Sequence, residues 1–116
     1  MIINITPHFI TFLRSSDGVV YELPPCGVVL EAKFVEESVG THTSGVKLVR
    51  TRIEPTLESV EALAKLEHKH PEAVIVGSII DAQAFPGRVA MCVPVPGFER
   101  RPPSEKRMQE DKFSVF

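Results

Sequence analysis

The chain has 116 residues, enough for one domain with a modest core. Charged residues make up 24% and the net charge is −2, which gives no field that recruits nucleic acid or an anionic membrane. No apolar run approaches the roughly 20 residues of a transmembrane helix, and Met1–His8 lacks the basic flank and long apolar run of a signal peptide. The expectation is an intracellular, cytoplasmic protein with neither a nucleic-acid nor a membrane partner.

In chain order, Met1–Ile5 and Phe9–Arg14 are short β-prone runs interrupted at Thr6-Pro7-His8. Ser15-Ser16-Asp17-Gly18 is a hairpin turn signal, and Val19–Leu23 alternates as its return strand. Pro24-Pro25-Cys26-Gly27 ends that strand. Val28–Glu37 follows as another, with Val28, Leu30, Ala32 and Phe34 on one face. Residues 39–45, V-G-T-H-T-S-G, form a loop by composition, after which Val46–Glu54 alternates again. These strands together suggest an antiparallel meander.

Pro55-Thr56 announces the one clear helix, over Leu57–His68, with Thr56 as its cap and Leu57, Val60, Leu63, Ala64 and Glu67 on one face. Glu61 and Lys65 have the spacing of an ion pair, and Pro71 stops the helix. Glu72–Gly97 is the organising stretch. Ala73–Val76 is a buried strand bounded by Pro71 and Gly77, Ile79–Phe85 fits about two helical turns, and Val89–Val95 is a second apolar strand beyond Pro86-Gly87. The helix is expected to cover the sheet that holds these two strands.

From Phe98 the chain becomes a charged arm, with a short helix expected from Glu105 to about Asp111 under a Ser104 cap, and an apolar end at Phe113, Val115 and Phe116. The expected organisation is a single α/β domain of α+β type over residues 1–97, with 98–116 as an arm that docks. Its architecture is a mostly antiparallel sheet of about five to seven strands, one long helix and one short helix.

N-I-T-P-H at residues 4–8, D-G followed by P-P-C-G within 17–27, and V-G-S-I-I-D-A-Q-A within 74–84 resemble a group of small phage and bacterial proteins. The group opens with an N-[IL]-T-P-H motif and has no established activity, so the resemblance implies no mechanism. It typically carries a small polar residue where Cys26 stands, which implies that this thiol is not catalytic. The tail from Phe98 departs from its shorter members.

Several constellations bear on chemistry. Cys26 and Cys92 are too few for a disulfide framework and lack metal-ligand spacing. Gly40–Leu48 imitates a phosphate loop but lacks the G-K-[ST] that places lysine and hydroxyl on phosphate and magnesium. His68 and His70, with Glu67 and the distant His42, read as a solvated helix end rather than a metal site, because residues two apart on a helix diverge. No metal or cofactor is expected.

The Gly77-Ser78 junction is the best candidate for a ligand. Free N–H groups at the start of the following helix would suit an anion, with Asp81, Gln83 and Arg88 nearby. The plainer reading is that Ser78 caps the helix and Asp81 complements its dipole. Thr6 and His8, beside Pro7, would join this site only if the first strand lay next to Ala73–Val76; otherwise they hold a turn. Two functions stay open. The first is a non-catalytic, self-associating assembly protein that makes contacts through sheet edges and through Phe113, Val115 and Phe116. The alternative is a binder of, or enzyme on, an anionic small molecule at Thr6, His8, Gly77, Ser78, Asp81, Gln83 and Arg88.

Overall fold

The computed structural model describes residues 1–116 and has an α+β fold of eight strands and two α-helices. The strands are β1 (Ile2–Asn4), β2 (Ile10–Leu13), β3 (Val20–Leu23), β4 (Ala32–Thr41), β5 (Lys47–Pro55), β6 (Val74–Val76), β7 (Met91–Pro94) and β8 (Met108–Ser114). The helices are α1 (Leu57–Lys69) and α2 (Ile79–Ala84). No helix is long and apolar enough to cross a membrane.

The strands do not form one mostly antiparallel sheet. They divide into a pair β1-β6, a four-stranded sheet in the order β3-β2-β8-β7, and a separate hairpin β4-β5. β1 runs parallel to β6, with Ile2 opposite Val74 and Asn4 opposite Val76. A parallel pair needs a long crossover, and residues 5–73, including α1, supply it. β6 is only three residues long, and a single parallel bridge from Val76 to Ala90 links the pair to the strand that becomes β7. Because β1 joins β6 while β2 joins β8, the first half is not a meander.

The core lies between α1, α2 and the β1-β6 pair. Ile3, Ile5, Leu30, Leu63, Ile75, Ala82, Phe85 and Val89 form one cluster. α1 starts where Thr56 accepts a hydrogen bond from the Ser59 N–H, and it delivers Leu63 to full burial. Leu57, expected on the buried stripe, is exposed in the first turn, and Glu67 pairs with Arg88 across the fold. Ser59 is buried because its hydroxyl accepts the Glu31 N–H at 2.6 Å, tying α1 to the segment before β4.

Residues 98–116 are integral to the fold. The expected helix at 105–111 is replaced by a 3-10 turn at Pro103–Glu105 followed by β8. β8 lies between β2 and β7, parallel to the former and antiparallel to the latter. Local propensity yields here to long-range contacts. Phe113 stands edge-on to Phe12 with ring centroids 6.4 Å apart, Phe12 stacks on Tyr21 at 5.6 Å, and the Tyr21 hydroxyl donates to Glu110 at 2.5 Å.

The β4-β5 hairpin gives the molecule its shape. Every residue from 36 to 52 is exposed. The principal extents are 57 × 36 × 20 Å, and the radius of gyration is 17.1 Å, against about 13 Å for a compact domain of this length. α2 contacts both strands of the ribbon, whose half-buried residues are confined to its base. β4 begins at Ala32 rather than Val28 and runs through Thr41, so the expected loop at 39–45 shrinks to a turn at 42–45. That turn is closed by the His42 N–H on the Val46 carbonyl at 2.8 Å, with Gly45 at φ 91°.

Candidate functional site

The pairing of β1 with β6 places the loop after β1 beside the Gly77-Ser78 junction. The Ile5 N–H donates to the Val76 carbonyl at 2.9 Å, and the Gly77 N–H donates to the Ala90 carbonyl at 2.8 Å. Thr6, Ser78 and Asp81 consequently line one cavity of about 360 Å³, together with Ile5, Leu30 and Ile80. Thr6 and Gly77 also border a second cavity of about 260 Å³ that reaches Cys92 and Lys106.

The junction satisfies its own polar groups. Ser78 has an extended backbone, and its Oγ accepts the Asp81 N–H at 3.2 Å, capping α2. Asp81 is buried, and burial pushes its carboxyl up from the ordinary 3.8 while hydrogen bonds from the Ser78 side chain and backbone oppose that rise. A Cβ on Gly77 would lie 3.0 Å from Val89 Cγ1, 3.1 Å from Asp81 Cβ and 3.2 Å from Asp81 Oδ2. Glycine is therefore required by close packing. The chain's own carboxylate takes the close approach that an incoming anion would need.

The remaining residues of the expected ligand site lie apart. His8 and Gln83 are exposed and border neither cavity. Arg88 is held in a two-pronged pair by Glu67 of α1, with Nε at 3.2 Å and the terminal nitrogen at 2.5 Å, and its guanidinium lies 5.7 Å from the Phe85 ring centroid. Among the apolar C-terminal residues, Phe113 is half-buried against Phe12, whereas Val115 and Phe116 are exposed.

Asn4 is what the N-terminal motif is built around. It is 1% exposed, and its amide donates to the carbonyls of His8 at 2.7 Å and Leu23 at 3.2 Å. Its Oδ1 accepts the Thr6 N–H at 2.9 Å and lies 2.6 Å from the Thr6 hydroxyl. Its backbone carbonyl accepts the Cys26 N–H at 2.8 Å. One buried amide thus joins the proline-fixed turn, the end of β3 and the P-P-C-G loop. An asparagine inside the apolar run Met1–Ile5 was the signal that the sequence reading did not use.

The β4-β5 ribbon is an unpartnered surface, exposed from residue 36 to 52. Its register pairs Ala32 with Pro55, Phe34 with Ile53, Glu36 with Thr51, Ser38 with Val49 and Thr41 with Lys47 on one face. The other face pairs Lys33 with Glu54, Val35 with Arg52 and Glu37 with Arg50, and there Arg52 also bonds Glu54 at 3.5 Å. The first face carries two charges on ten residues and the second, which also holds the Gly40–Leu48 rung, five on eight. Phe34 on the first face is 59% exposed and Val49 48%. Both edges of the ribbon lack a neighbouring strand.

Compared with known proteins, the chain matches no family model, no curated protein and no solved structure.

Proposed function

We propose that this chain is a non-catalytic assembly protein that associates with copies of itself inside the cell. The observation that carries the reading is the bare ribbon: residues 36–52 are exposed on both faces while Phe34, Val39, Val46, Leu48 and Val49 remain in water. An isolated two-stranded hairpin is only marginally stable in water, and a long unpaired ribbon is ordinarily covered. Surface area supports the same reading. The accessible area is 7840 Å², against about 6,300 Å² for a compact monomer of this mass. The excess, roughly 1,500 Å², is more than the ~800 Å² that each partner contributes to a standard interface. Kinship with the N-[IL]-T-P-H group belongs to the same proposal and adds no activity to it.

The anion-binding alternative draws support from the cavity shared by Thr6, Ser78 and Asp81. Against it stand the Asp81 carboxylate over Gly77 and the pairing of Arg88 with Glu67. Native mass spectrometry of gently purified protein separates the readings. A multimer carrying no extra mass, unchanged in Ser78→Ala and Arg88→Ala, supports assembly. A small retained mass that both substitutions release would replace assembly with ligand binding.

A further inference from the structure

We infer that the Phe34–Val49 face of the β4-β5 ribbon is covered by the same face of a second copy, the two ribbons running antiparallel about a two-fold axis near the Ser38–Val49 rung. The inference rests on the self-association proposed above and names the surface that performs it.

Charge selects this face over the other surfaces of the ribbon. Pairing edge to edge through β5 about a two-fold at Thr51 would set Arg50 beside the opposite copy's Arg52 twice, and pairing through β4 about the Glu36–Glu37 step would set those two carboxylates beside each other. Like charges set opposite each other destabilise a sheet. The other face sets Lys33 opposite Glu54 and Glu37 opposite Arg50, and burying it would strip water from five charges. The Phe34–Val49 face offers Ala32, Phe34, Ser38, Val49, Thr51 and Ile53 with little to desolvate.

Its two charges also suit a copy of itself. An antiparallel two-fold through the Ser38–Val49 rung sets the Glu36–Thr51 rung of one copy over the Thr41–Lys47 rung of the other. Glu36 then meets the opposite copy's Lys47 diagonally, and the symmetry makes the contact twice. The Phe34–Ile53 rung falls over the opposite copy's turn at residues 42–45, which ends the face. A residue pattern that is wasteful on a monomer becomes self-complementary in the dimer.

The test is light scattering on the full chain across a concentration series, with Val49→Glu, Glu36→Lys, Lys47→Glu and the Glu36→Lys/Lys47→Glu double variant. Wild type is expected to dimerise, and Val49→Glu to weaken the dimer by roughly a hundredfold, because it sets two carboxylates on the axis. Each single charge swap is expected to weaken the dimer and the double swap to restore it. This rescue stands even if Val49→Glu fails to fold. If wild type dimerises and all four variants dimerise as tightly, the contact surface lies elsewhere and this inference falls while self-association stands. A wild type that stays monomeric removes both.

Discussion

The side-chain amide of Asn4 donates to the backbone carbonyl of His8 at 2.7 Å, closing the Thr6-Pro7 turn from its buried side. The motif's histidine thereby contributes its carbonyl, and its ring points into solvent. The N-I-T-P-H segment is a structural clasp, in which Pro7 fixes the backbone and Asn4 satisfies the groups that the turn exposes inward.

This division of labour separates two substitutions. Asn4→Ala leaves the His8 and Leu23 carbonyls and the Thr6 N–H without their partner, and is expected to cost about 2–4 kcal/mol. His8→Ala keeps the carbonyl and should cost less than about 0.5 kcal/mol. Urea unfolding of both variants checks the pair. Equal losses would mean that the histidine ring holds the turn.

Asp81 gives a pH dependence of definite sign. Its carboxyl binds a proton more tightly in the folded protein than in the unfolded chain, because burial raises it above 3.8. Its contribution is fully present below that value and is lost as pH rises through the raised folded value. The stability difference between Asp81→Asn and wild type should therefore shift in the variant's favour as pH climbs above about 4. A difference independent of pH would show that Asp81 is not held in this environment.

Tyr21 reports on the docking of β8. Burial, and then the hydrogen bond to Glu110 and its charge, push the phenol up to about 12. The chain has one tyrosine and no tryptophan, so absorbance at 295 nm follows this group alone. Phenolate should appear in the folded protein only near pH 12, and Glu110→Gln should bring the transition down. Stability linked to this proton is present below 10 and lost as pH rises toward 12. An ordinary transition near 10 would mean that β8 does not cover the ring.

Truncation tests the same strand by a different route. Removing Met108–Phe116 deletes the strand between β2 and β7 and should abolish cooperative unfolding. Removing only Val115-Phe116, which lie beyond β8 and are exposed, should leave the midpoint within a few degrees. A stable core after the larger deletion would return residues 98–116 to the status of an appendage.

Local chemistry made the elements legible and long-range pairing did not. Thr56 and Ser78 announced their helices through capping, and Asp17-Gly18 announced the β2-β3 turn. The position of β8 was hidden because Met108–Lys112 is polar, and its strand form depends on Phe12 and Tyr21, nearly a hundred residues upstream. The alternation of Val46–Glu54 promised a half-buried strand. The structure supplies the strand and leaves its apolar side in water, the mismatch that a second copy would resolve. At the candidate ligand site the sequence named Thr6, Ser78 and Asp81, which do converge. It could not foresee that Arg88 would be taken by Glu67, which lies on α1, twenty-one residues earlier in the chain.

Sedimentation equilibrium of the wild-type chain tests self-association most directly. The expected result is a concentration-dependent approach to twice the 12.8 kDa of one chain. A mass that stays at one chain up to the highest soluble concentration would contradict it, and the exposed ribbon would then need a different explanation.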